Sequence, residues 1–179
     1  MTEDPQSYSP RMAGDPRAAP VDVGGERETL VSFLDWHRRT LELKCAGVAP
    51  GRLSECAVPP SALSLHGLVR HMAAVERWWF RIQFMGERLP LLYYTDDDPD
   101  LDFTGTDGDP AADLVVWHGE VEHSRRIVAA ASLTDTGIRR RTGEPVALRT
   151  VLVHMIAEYA RHNGHADLLR ERLDGSTGM

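Results

Sequence analysis

With 179 residues the chain is long enough to bury the core of one domain, and it has no run of about eighteen apolar residues, which excludes a transmembrane helix. The net charge of −7 has a local source: Tyr93 to Asp109 holds seven aspartates and no basic residue, and without them the acidic residues fall to the number of the 20 basic ones. No basic stripe remains to neutralise phosphates, so nucleic acid is not an expected partner.

The N-terminal stretch MTEDPQSYSPRMAGDPRAAP is polar and proline-rich and lacks the apolar core of a secretory signal, which points to the cytoplasm. Residues 1–25 read as a disordered tail, and residues 26–175 read as one helical domain. The first helix is expected from about Glu26 to Ala46, with Leu30, Phe33, Leu34, Leu41 and Cys45 at helical spacing and Gly47 as its stop. Pro50, Pro59 and Pro60 keep the next connection irregular.

Ser64 is a good N-cap for a second helix that runs to about Gly86, with a stripe of Leu65, Leu68, Met72, Val75, Trp79 and Ile82. Trp78, Trp79 and Phe80 read as core and bundle-end packing, with room for one of them in the wall of a pocket. The acidic connection from about Leu89 to Asp109 reads as a solvated loop or as a lid. Asp98, Asp100 and Asp102 mimic the start of a calcium loop, but Phe103 takes the place of its glycine and no glutamate closes it.

Asp109 caps a third helix with Pro110 at its first position, carrying Leu114, Trp117, Val121 and Ile127 and fading near Ser132. Thr134 to Glu144 is arginine-rich and reads as a turn or short irregular hairpin; its arginines 139–141 suit either a solvated surface or an acidic thiol cofactor. A fourth helix from about Ala147 to Leu173 has the stripe Leu148, Leu152, Met155, Tyr159, His162, Ala166, Leu169 and Leu173. Four such helices make an all-α four-helix bundle. Cys45 and Cys56 are expected as free thiols in a reducing compartment.

His162 falls on the apolar stripe of the last helix and Glu158 stands one turn earlier at its edge. A carboxylate on the core side of a helix needs a partner, and either a divalent cation or an arginine from a facing helix would serve. On the second helix His71 neighbours Leu68 and Val75 and also leans inward. Three ligands from two helices would leave open positions on a metal, as a catalytic site requires. His154, four before Glu158, competes as a ligand, but successive steps of four drift around the helix.

The segments HGLVRHMAAVERWWF and HMIAEYARHNGHADLLRERLDG together resemble the DinB-like superfamily, over about Glu26 to Gly175. The resemblance implies an up-down-down-up four-helix bundle holding one metal ion through a histidine of the second helix and an H-x-x-x-H pair of the last. His71 and His162 match the outer members of that set. Glu158 stands in place of the middle histidine, as in members resembling mycothiol-dependent maleylpyruvate isomerase, so the implied thiol is mycothiol and not bacillithiol. That isomerase has a further C-terminal domain, whereas this chain ends soon after Leu173, so isomerisation itself is not carried over.

What the resemblance implies is a mycothiol-using S-transferase acting on an electrophile, with zinc, or else nickel or another divalent ion, on His71, Glu158 and His162. His165 occupies the position of a glutamine in the family and becomes the candidate catalytic residue, either orienting a ligand or moving a proton. The competing expectation is a stress-related bundle that binds metal or ligand without turnover. A third expectation is a purely structural bundle that dimerises through apolar helix faces and binds no metal; a homodimer is compatible with every reading.

Overall fold

The computed structural model describes residues 15–178. Residues 1–14 of the expected tail lie outside the described residues. Residues 15–24 form no helix or strand and run against the first helix, where Arg17 donates to Thr40 Oγ1 (2.8 Å) and lies 4.2 Å over the Trp36 ring.

The order is α1 (Glu26–Cys45), α2 (Pro50–Leu53), α3 (Leu65–Glu76) with a π-helical continuation (Arg77–Phe84), α4 (Leu101–Thr104), α5 (Pro110–Ala130), β1 (Thr136–Ile138), β2 (Pro145–Ala147) and α6 (Leu148–Asp174). The four long helices start and stop within two residues of the sequence expectation, because the capping residues act as expected. Ser64 Oγ accepts from Gly67 N, Asp109 accepts from Ala111 N with Pro110 in the first turn, and Gly175 closes α6 at φ 78°. Among the described residues no helix is long and apolar enough to cross a membrane.

Two features depart from the sequence reading, and the hairpin it offered takes a regular form. The second helix widens to π geometry for its last eight residues, closing with Met85 N to Phe80 O (3.0 Å). The arginine-rich segment closes a two-stranded antiparallel hairpin pairing Thr136 with Ala147 and Ile138 with Pro145. The acidic connection contains a helical turn, α4, whose Asp102 is buried and not solvated.

Side-chain ties give the helix directions. Arg149 faces Glu26, and Arg170 of α6 caps the last carbonyls of α1, so α1 and α6 run parallel. Arg70 meets Asp113 and Arg77 meets Glu120, so α3 and α5 also run parallel. Tyr159 reaches Glu76 and His154 reaches Trp79, which makes α3 and α6 antiparallel. The order is up-down-down-up. Two parallel helices in succession need a return connection as long as the helix, and residues 85–109 supply it.

The α6 stripe is buried along its whole length, as its spacing predicts. Phe33 of α1, expected in the core, is 40% exposed, while Arg38 is 4% exposed. Arg38 is inside because Glu76, 0% exposed, takes it in a bidentate pair (2.8 Å on both oxygens). Tyr159 OH donates to the same carboxylate (2.8 Å) and accepts from Trp117 Nε1 (2.8 Å). One residue from each long helix therefore joins a single buried polar chain.

Glu76→Ala would leave the Arg38 guanidinium only the partly exposed Asp35, and should lower stability by about 3 kcal/mol in denaturant unfolding. Tyr159→Phe removes one hydroxyl from the chain and should cost about 1–2 kcal/mol.

Candidate metal centre

The structure brings together the three residues singled out from α3 and α6. Donor atoms of His71, Glu158 and His162 all lie within 4.8 Å of one another, a spacing that one ion can bridge. Two helices present them: His71 stands in the second turn of α3, and Glu158 and His162 are one turn apart on α6, with Nε2 of His162 3.5 Å from Oε2 of Glu158. Tyr159 belongs to the core stripe, so its neighbour Glu158 sits at the edge of that stripe, ~100° around the helix.

His71 is held from behind. Its Nδ1 donates to Asp102 Oδ2 (2.8 Å), which leaves the lone pair on Nε2. That Nε2 is buried and has no hydrogen-bond partner among the described residues. Buried polar atoms are rarely left so, and a metal-ligating imidazole whose other nitrogen donates to a carboxylate has this arrangement. The donor set, two imidazoles and one carboxylate, fits zinc or another borderline divalent ion.

The ring of Phe103 stacks on His71 (4.3 Å between centroids, 22° between planes) and lies 5.9 Å from that of His162. The residue that spoils the calcium-loop pattern is thus a roof over the His71 imidazole. Its backbone comes close because α3 has a glycine beneath it: a Cβ on Gly67 would lie 2.6 Å from Phe103 O.

Asp102 owes its position to Arg70, whose Nε donates to Asp102 O (3.1 Å) and Nη2 to Leu101 O (3.4 Å). The same guanidinium meets Asp113 Oδ2 (3.2 Å) and lies 4.1 Å over the Tyr93 ring. His66 Nε2 also donates to Asp113 (2.7 Å), and Tyr93 OH donates to it (2.5 Å) from a backbone in the left-handed region, φ 68°. Burial alone would raise the Asp113 carboxyl, but the hydrogen bonds from Tyr93, His66 and Arg70 bring it below its ordinary value.

The remaining histidines of the segment separate by role. Nδ1 of His165 lies 3.3 Å from Nδ1 of His162, on the side of that ring away from Glu158. His154 does not join the cluster of three; its Nε2 stands 3.5 Å from the other oxygen of Glu158, and its ring packs 4.1 Å from that of Trp79. Cys45 and Cys56 are free thiols, the first buried and the second exposed, and neither is in the cluster.

Sequence reasoning missed Asp102, Arg70 and Phe103. The available signal was small: Leu101 and Phe103 are the apolar residues inside an otherwise acidic run, and they mark where the connection turns inward.

Burial, with the nearby charges of His71, His165 and Arg161, pushes the His162 imidazole down to about 3. It is therefore neutral and able to donate a lone pair at pH 7. Between about 6.5 and 3 the unfolded chain binds a proton at this residue that the folded chain does not, so metal-free protein loses stability as pH falls through that window. The melting temperature of metal-free protein should fall more between pH 7 and pH 4 than that of His162→Asn.

Comparison with known proteins agrees with this fold. A solved structure described as a conserved protein of a locus from Enterococcus faecalis superposes with a TM-score of 0.62, at 15% identity, covering 86% of this chain and all of that one. At that identity the likeness speaks for the fold. No curated protein sequence matches the chain. The sequence profile of the mycothiol-S-transferase family matches residues 29–175, which contain every residue of the site just described. The chain belongs to the mycothiol-S-transferase family.

Proposed function

We propose that this protein is a metal-dependent S-transferase that joins mycothiol to an electrophile, with His71, Glu158 and His162 as the metal ligands. The observation that carries the reading is the buried, unpartnered Nε2 of His71 beside a carboxylate and a second neutral imidazole. A divalent cation held by these three, zinc by its donor preference and nickel or another divalent ion as the alternative, would lower the pKa of the thiol and favour its thiolate.

The chain's own residues do the rest. Asp102 fixes the His71 tautomer and ring direction through Nδ1. Phe103 covers one face of the His71 imidazole and keeps water from that side. His165 touches His162 and acts through it, so it is a positioning residue, and a proton shuttled from the thiol to solvent could use the same imidazole. In the transfer the sulfur forms a bond to the electrophilic carbon, and the leaving group departs with its electron pair.

Purified protein should contain stoichiometric zinc, and His162→Ala and Glu158→Ala should lose both the metal and mycothiol-dependent turnover of an electrophile panel. Metal without turnover across the panel would favour a binding module, and absence of metal in native protein would remove the basis of the proposal. Asp102→Asn should keep the helical circular dichroism and weaken zinc binding by about 10–100-fold in a chelator competition.

A further inference from the structure

Among the described residues Arg139 is a half-buried cation whose side-chain contact, with the Trp79 ring, supplies no counter-charge. It lies at the turn of the β1–β2 hairpin, half-buried, with its guanidinium 5.3 Å from the centre of the Trp79 ring. Trp79 packs on His154, and His154 stands 3.5 Å from Glu158, so two packed rings, tilted 47° to one another, lead from Arg139 to the ligand cluster. Among the described residues it has no carboxylate partner. The other arginines packed around α3 each have one within 3.2 Å: Arg38 on Glu76, Arg70 on Asp113, Arg77 on Glu120 and Arg81 on Glu87.

The backbone that carries Arg139 is fixed. Its N–H donates to Glu144 O and its carbonyl accepts from Gly143 N, both at 2.8 Å. The next amide, Arg140 N, donates to the buried Gln83 Oε1 (2.6 Å). Gly137 rests on the backbone of Phe84, where an added Cβ would lie 2.3 Å from the Phe84 Cα. A half-buried cation without a counter-charge is unfavourable, and holding it on a rigid turn adds a further restraint. An anion supplied from outside would compensate it, and a planar guanidinium on a fixed backbone suits a carboxylate.

We infer that the electrophile accepted by this site carries a carboxylate, which Arg139 binds on the Trp79 side of the metal cluster. This rests on the proposed thiol transfer for its reaction, but not for its binding. The substrate class is an acidic electrophile: its anionic group pairs with Arg139 and its reactive carbon is turned toward the thiol.

The test pairs 4-chloro-3-nitrobenzoate with the neutral 4-chloro-3-nitrobenzamide as acceptors for mycothiol in zinc-loaded protein. In each the thiolate sulfur bonds to the chlorine-bearing carbon, chloride leaves with the electron pair, and the thiol proton goes to solvent. Native protein should prefer the acid by about tenfold in kcat/KM, the scale of one charge-assisted contact. The ratio should fall to about one in Arg139→Gln and be partly restored in Arg139→Lys. An equal ratio in native protein, or a preference that survives Arg139→Gln, overturns the inference.

If neither acceptor is turned over, the thiol-transfer reading is what fails, and calorimetric titration with 3-nitrobenzoate and 3-nitrobenzamide still decides the matter. Binding of the acid that is lost in Arg139→Gln sustains the inference. No binding, or binding unchanged by the substitution because the carboxylate sits on the metal, overturns it.

Discussion

The fold and the candidate centre both depend on the buried chain Arg38–Glu76–Tyr159–Trp117. A buried ion pair adds little net stability compared with apolar residues of the same volume, because desolvation cancels most of the attraction. Its value here is directional. A leucine stripe tolerates rotation of a helix about its axis, whereas a bidentate guanidinium and two further hydrogen bonds on one carboxylate do not. With Tyr159 turned onto Glu76, the α6 residues on either side of that stripe edge have only one place to go, and Glu158 and His162 come to face His71.

A second constraint comes from topology. Because α3 and α5 run the same way, the chain must travel back along the bundle before α5 can start. That return passes over the His71 end of α3, and Arg70 and Gly67 bring it into contact there. The acidic run that dominates the net charge is therefore the same segment that delivers Asp102 and Phe103 to the site.

Much of this was legible in the sequence because it was local. Ser64, Asp109–Pro110 and Gly175 set helix ends by their own hydrogen bonds and backbone preferences, and the α6 stripe announced its buried face by spacing. The pairing of His71 with Glu158 and His162 was suggested by helical faces and sharpened by family resemblance. What could not be read was long-range. Nothing near Asp102 tells that its partner is thirty-one residues earlier, and nothing near Arg38 tells that Glu76 will draw it inside while Phe33 stays partly out. The π-helical stretch was equally hidden, since its residues have no helix-breaking composition.

That stretch has a consequence for how the chain tolerates change in length. Each residue of an α-helix turns the next by ~100°, so a wider helical turn absorbs one extra residue without rotating what lies beyond it. Here what lies beyond includes Gln83 and Phe84, the seat of the arginine-bearing hairpin. Loss of one residue between Arg77 and Phe84 would let ordinary helix re-form with that seat still facing the same way, whereas ordinary helix through all eight residues would swing it around the axis with every named side chain still present. The helical geometry between His71 and Gln83 is thus itself a specification of the site, written in the backbone and invisible to a residue-by-residue comparison.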